Sequence, residues 1–175
     1  MLSSQSTNSA ILASTLIELL RFQADSRGEQ LAFTFLRDGE EESEKWNYRL
    51  LDARARAIAV RLQAAHRPGE RVLLLYPPGL EFIAAFFGCL YAGAIAVPVY
   101  PPRRNHHLQR LQAVCQDADA AIALTTAEVQ ARIGPWLVEV PAMGEIDWYT
   151  TDQWDETGAA NWQPPEINGK TLAFL

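Results

Sequence analysis

Residues Arg71 to Pro102 read RVLLLYPPGLEFIAAFFGCLYAGAIAVPVYPP, and this stretch decides the fold. Arg71 to Tyr76 is a short apolar run closed by Pro77-Pro78-Gly79; prolines cannot donate to a sheet ladder, so a strand ends there. Leu80 to Ala92 has helix length, and its one charge, Glu81, sits in the first turn, where a carboxylate complements the helix dipole. Gly93 falls where a left-handed carboxyl-terminal cap is wanted, and Ala94 to Tyr100 follows as a second strand. A helix that is apolar on all sides has to be buried. The pattern therefore predicts a right-handed parallel unit of strand, helix and strand inside an α/β layer structure, with at least one of Phe86 and Phe87 fully enclosed.

The uncharged run from Phe82 to Tyr100, 19 residues, has nearly the length of a membrane span. Gly93 and Pro98 break it, a β-branched pattern replaces helical periodicity after Gly93, and no cluster of Lys or Arg precedes it, so a soluble unit is expected. The whole chain agrees: 175 residues, 49% hydrophobic and 21% charged, fit one globular domain. Its net charge of -6 is unevenly placed. Ile133 to Gly169 holds seven acids and no Lys or Arg, leaving 14 acids against 15 bases elsewhere. That balance excludes a general nucleic-acid surface and reads the acidic segment as solvated and loop-rich. Cys89 inside the central helix and Cys115 on the apolar side of a later one read as small hydrophobes in a reducing compartment, without metal-ligand spacing. No basic residue precedes Ala10 to Leu12, which does not match a secretion signal, so a cytoplasmic location is expected.

In chain order, residues 1–14 are expected to be mobile. Thr15 and Glu18 have capping-box spacing ahead of a helix from Leu16 to about Ala24. Leu31 to Arg37 alternates like a half-buried strand, Asp38-Gly39 opens a turn, and Glu44 to Tyr48 returns as the hairpin partner. Asn47 can cap the helix Tyr48 to Ala65, with Leu51, Ala55, Ile58 and Leu62 on one face; Arg49, Arg54, Arg56 and Arg61 read as its solvated face. His66 reads as a surface histidine. Beyond Pro101-Pro102, Asn105 is expected to cap a helix with Leu108, Leu111, Val114 and Cys115 inward. Ala120 to Thr125 is another strand, and Thr126 starts a helix through about Ile133. Between Gly134 and Pro165 stand Trp136, Trp148, Trp154 and Trp162. They could form an aromatic box for a ligand, but tryptophans pinning a long surface segment to the core by the area each buries fit better. Ile146 to Tyr149 suggests one more strand. Lys170 to Leu175, KTLAFL, reads as a buried strand cut by the chain end, the mark of a fragment of a longer protein.

The search for chemistry is mostly negative. No phosphate loop of the G-x-x-x-x-G-K-[ST] type, no G-x-G-x-x-G turn, no G-x-S-x-G elbow and no zinc-spaced His/Cys cluster is present. No pair of carboxylates can be assigned to acid/base work.

RVLLLYPPGLEFIAAFFGCLYAGAIAVPVYPPRR, with TLIELLRFQA and LAFTFL upstream and RLQAVCQDADAAIALTT downstream, resembles the amino-terminal part of fatty acyl-AMP ligases. The resemblance runs from Thr15 to Leu175 and weakens through Gly134 to Pro165. Its P-x-G-L-E-F and A-G-x-x-x-x-P elements are shared across the adenylate-forming superfamily, including acyl-CoA synthetases and peptide-synthetase adenylation domains, while Val97 to Arg103, VPVYPPR, leans to the fatty acyl-AMP branch. The resemblance implies an α/β fold, the amino-terminal subdomain of an adenylate-forming enzyme with a mostly parallel sheet flanked by helices. Residues 15–175 would be a partial AMP-binding domain, cut before the phosphate loop that follows the strand resembled by KTLAFL. It further implies a parent enzyme that joins a fatty acid to ATP, with Mg2+, and passes the acyl group to the phosphopantetheine thiol of an acyl carrier protein. No catalytic, cofactor-binding or metal-binding residue of the family has a matching position here, so the 175 residues alone are expected to be inactive and to bind ATP weakly. A free-standing α/β binding module, using the basic segment Arg103 to Arg110, is the alternative of a different class. In either reading Arg103, Arg104 and Arg110 lie past the second strand, near the carboxyl edge where ligand sites gather in open α/β sheets. They are the candidates for contact with phosphopantetheine or a carrier protein's acidic face.

Overall fold

The protein is described from a computed structural model covering residues 13–65, 68–102, 108–137 and 141–175. Helix α1 (Leu16–Arg27) runs three residues past the expected Ala24. The Thr15 hydroxyl accepts from the Glu18 amide at 3.1 Å, but the Glu18 carboxylate turns to Ser14, accepting from its amide at 2.6 Å and its hydroxyl at 3.0 Å. The reciprocal half of the capping box is thus displaced one residue upstream. Strands β1 (Leu31–Arg37) and β2 (Glu41–Asn47) form a separate antiparallel hairpin, whose return strand begins three residues earlier than the sequence suggested. The Asn47 side chain accepts from the Leu50 amide at 2.8 Å and starts α2 (Tyr48–Ala65), as its cap position requires.

The central unit is β3 (Arg71–Leu75), α3 (Leu80–Ala92) and β4 (Ile95–Pro98). Gly93 at φ 73° closes α3, its amide donating to the Leu90 carbonyl while the Ala94 amide donates to Cys89, the two bonds of a Schellman cap. Then come α4 (Leu108–Ala118), β5 (Ile122–Thr125), α5 (Ala127–Leu137), the short α6 (Pro141–Gly144) and β6 (Asp147–Thr150). The strands lie in the order β4-β3-β5-β6, all parallel.

Alternation along these strands builds two cores. Val72, Leu74, Ala96, Ile122 and Leu124 face α1, α2 and α3, whereas Leu73, Leu75, Val97 and Ala123 face α4 and α5. Both faces are covered, as a parallel sheet demands. The α2–α3 contact is close because Gly88 has no Cβ; one placed there would stand 2.5 Å from the Ile58 Cγ2 atom. Among the described residues no helix is long and apolar enough to cross a membrane.

Three expectations are corrected. Neither Phe86 nor Phe87 is fully buried: α3 turns its small residues, Ala84, Ala85, Gly88 and Cys89, inward, and the two phenylalanines stay half-buried on its outer flank. Lys170 to Leu175 is not a buried strand. It makes a single parallel bridge, Phe174 to Ala96, and with no more of a ladder than that Leu172, Phe174 and Leu175 stay exposed. Third, Arg54, Arg56 and Arg61 are not solvated; only Arg49, at 68% side-chain exposure, fits that reading.

Candidate functional site

Open α/β sheets bind ligands at the carboxyl ends of their strands. Here most polar groups at that edge are committed to one another. The Tyr76 hydroxyl, just past β3, lies 2.7 Å from the Thr151 hydroxyl, just past β6, both buried. Burial pushes the phenol well above its ordinary range, so it stays neutral. Thr125 donates to the Leu75 carbonyl at 2.7 Å. At the start of α5, Thr126 accepts from the Val129 amide and Asp152 from the Ala127 amide. The amino end of α3 differs: Gly79 supplies no side-chain cap, and Glu81 in the first turn is held by Arg54 at 2.7 Å. Burial raises the Glu81 carboxyl above the usual carboxylate range; Arg54 opposes this, and Glu44, Asp152 and Glu156 add to it.

Below this edge runs a polar seam that joins α2 to the segment crossing over it, residues 147–162. Arg54 stacks on Trp46 at 4.8 Å and lies within 3.2 Å of Glu156; Arg61 covers Trp154 at 4.7 Å; Arg56 donates to the Ala159 carbonyl at 3.1 Å. Of the acidic segment Glu156 is engaged by Arg54, while Glu145, Asp147, Asp152, Asp155 and Glu166 stay exposed, as a solvated segment should. At the centre of the seam Asp52, 2% exposed, accepts from Arg21 at 3.1 Å, Arg56 at 2.8 Å and the Tyr91 hydroxyl at 2.8 Å. Sequence reasoning missed Asp52. The available signal was its place next to Leu51 on the apolar face of α2, four residues before Arg56. The tryptophans pin rather than form a box: Trp162 stacks on Tyr91 with centroids 4.9 Å apart and donates to its carbonyl at 2.8 Å, while Trp136 and Trp148 pack on the other core.

Of the residues expected to meet at the carboxyl edge, Arg103 and Arg104 lie outside the described residues, as do Asn105 and His66. Arg110 is exposed in the first turn of α4, between the buried Leu108 and Leu111. Among the described residues no group of His, Cys, Asp or Glu is placed to hold a metal ion. A cavity of about 200 Å³ opens between the start of α1, the end of α3 and residues 167–173, but none of its lining side chains titrates, so it offers no acid/base chemistry. Cys89 and Cys115 are buried free thiols; burial pushes the first far up and the second to about 12, leaving both as unreactive thiols.

The AMP-binding enzyme family matches residues 20–175. The medium-chain-fatty-acid–[acyl-carrier-protein] ligase JamA of Moorena producens is 43% identical over 166 residues, 93% of this chain and 28% of that protein. This chain belongs to the AMP-binding enzymes, in their fatty acyl-AMP ligase branch. The long-chain-fatty-acid–AMP ligase FadD32 of Mycobacterium marinum is 36% identical over 85% of this chain and 24% of its own length. The solved fatty acyl-adenylate ligase of L. pneumophila, in complex with acyl adenylate and pyrophosphate, superposes with a TM-score of 0.85 at 34% identity, over 100% of this chain and 29% of that one. The α/β fold with its parallel sheet is thus that of the amino-terminal part of these ligases, and this chain spans 24% to 29% of their length.

Proposed function

We propose that the chain is the amino-terminal part of a ligase that activates a fatty acid with ATP to acyl-AMP and transfers the acyl group to an acyl carrier protein in the cytoplasm. The observation that carries the reading is the 43% identity, over 93% of the chain, to a ligase named for its carrier-protein acceptor. A structural counterpart holding acyl adenylate and pyrophosphate supports the adenylation half. The role of the 175 residues is scaffolding. The parallel bridge of Phe174 to Ala96 sends the chain beside β4 toward the carboxyl edge of the sheet, where a nucleotide site in such a fold is built. Mg2+ would arrive with the phosphates of ATP, held mostly by them and by water. Arg103, Arg104 and Arg110 would contact the phosphopantetheine phosphate or the acidic face of the carrier protein.

Fatty-acid-dependent exchange of pyrophosphate into ATP by the full-length protein tests the first half, and acyl transfer to carrier protein against coenzyme A tests the second. Exchange driven by amino acids, or transfer to coenzyme A alone, overturns the proposal. Charge reversal at Arg103 and Arg104 is expected to slow acyl transfer while leaving adenylate formation nearly intact; loss of neither half-reaction removes those arginines from the site.

A further inference from the structure

Between Ile167 and Ala173, both packed on the first core, the chain makes one exposed turn, Asn168-Gly169-Lys170-Thr171. The Thr171 amide donates to the Asn168 carbonyl at 3.0 Å and closes it. The Asn168 side chain is bound into the turn as well: its Oδ1 atom accepts from the Lys170 amide at 2.9 Å, while the Asn168 amide donates to the Thr171 hydroxyl at 3.0 Å. The ring closed by the Oδ1 bond contains both the Asn168 Cγ atom and the Gly169 nitrogen, so the side-chain amide is folded back over the next peptide bond. The same bond draws electron density from the Cγ carbonyl, which favours attack on Cγ by a nucleophile. Among the described residues the Gly169 amide donates to nothing, and nothing holds the Asn168 Nδ2 atom. Gly169 has no side chain to shield its nitrogen, and a Cβ there would stand 3.2 Å from the Ser14 carbonyl oxygen.

We propose that Asn168 is a site of spontaneous deamidation, with water as the only co-reactant. The Gly169 nitrogen attacks Cγ; the N–Cγ bond forms as the Cγ–Nδ2 bond breaks, and Nδ2 leaves as ammonia with the proton of the Gly169 amide. Water then opens the cyclic imide. Attack at Cγ restores the backbone and leaves aspartate, whose carboxylate can accept from the Lys170 amide as Oδ1 does in the asparagine. Attack at the backbone carbonyl leaves isoaspartate, which carries the chain through the side-chain carbon and lengthens it by one methylene. The turn cannot keep both Thr171 bonds across that longer link, and the change falls just before the bridge of Phe174 to β4. Asn47 and Asn161 lack the arrangement: each is followed by an aromatic residue, and Asn47 Oδ1 is held by the Leu50 amide at 2.8 Å. This inference does not depend on the proposed ligase activity.

Peptide mapping by mass spectrometry tests it, on the full-length protein held at neutral pH and physiological temperature. The peptide carrying Asn168 is expected to gain, with time, the mass difference between NH and O. Two products should appear, only one of them cut by an endoproteinase that cleaves before aspartate and not before isoaspartate. Peptides carrying Asn47 and Asn161 should stay unchanged. In Asn168→Gln, whose longer side chain would have to close a larger ring, the gain should vanish while the circular-dichroism spectrum and the unfolding midpoint persist. An Asn168 that stays intact would overturn the proposal. So would equal conversion at Asn47 or Asn161, or a mass gain at Asn168 without the isoaspartyl product, which would mean direct hydrolysis rather than attack by Gly169.

Discussion

The central unit, residues 71–98, and the crossing segment, residues 147–162, sit on the same core and are held by different forces. Val72 to Leu75 are essentially inaccessible, and the unit is bound by apolar area that needs no particular partner. The crossing segment keeps its tryptophans half-buried and is held by directional contacts: guanidiniums over Trp154 and on Ala159, and an indole on the Tyr91 carbonyl. Burial of the first kind is insensitive to salt and tolerant of detail. Attachment of the second kind depends on every partner being present.

The largest expected effect comes from the point where the two meet. Asp52→Ala leaves two guanidiniums and a buried phenol without their acceptor and should cost about 3–5 kcal/mol in denaturant unfolding, the range for breaking a buried ion pair. A loss under 1 kcal/mol would show that solvent, not Asp52, satisfies those groups. Leu73→Ala, in the unit proper, should cost about 2–5 kcal/mol with no change between low and high salt. Gly93→Ala tests the cap that ends α3, packed on the chain just past the crossing segment: φ is 73° and a Cβ would stand 3.0 Å from that of Pro165, so about 1–2 kcal/mol is expected, mostly from the left-handed backbone. Arg61→Ala removes the cation from Trp154 and a 3.8 Å approach to Asp155, worth about 0.5–1 kcal/mol and shrinking as salt is raised. A salt-independent loss there would place the crossing segment in the same class as the core.

The smallest effect is in pH. The folded chain holds the proton on Glu81 more tightly than the unfolded chain does, because burial raises its carboxyl. The stability this contributes is complete below the ordinary carboxylate range and is lost as pH rises through the raised value. The stability of the wild type relative to Glu81→Gln should therefore fall as pH is raised from about 4 toward neutrality. An opposite slope would mean that Arg54 outweighs burial.

Much of the fold was legible because the sequence repeats its message at several levels. Pro77-Pro78-Gly79, the uninterrupted apolar run and Gly93 each mark a boundary, and all three boundaries stand within a residue or two of their expected places. The seam was not legible, since an arginine on the polar side of a helix looks the same whether it meets water or an acid a hundred residues away. Arg54 and Glu156 are the plain instance. Phe86 shows the converse error: a helix apolar on every side does not announce that its small residues, Ala84, Ala85, Gly88 and Cys89, take the inner face.

By itself, then, the sequence determined the order of strands and helices, the parallel α/β class and the family, because local propensity, periodicity and turn chemistry are written residue by residue. Only the tertiary structure decided that Asp52 is a buried acceptor, that Tyr76 meets Thr151, and that three arginines clamp the crossing segment. These are contacts between residues distant in the chain, and their energy depends on a burial and an alignment that no single stretch of sequence contains.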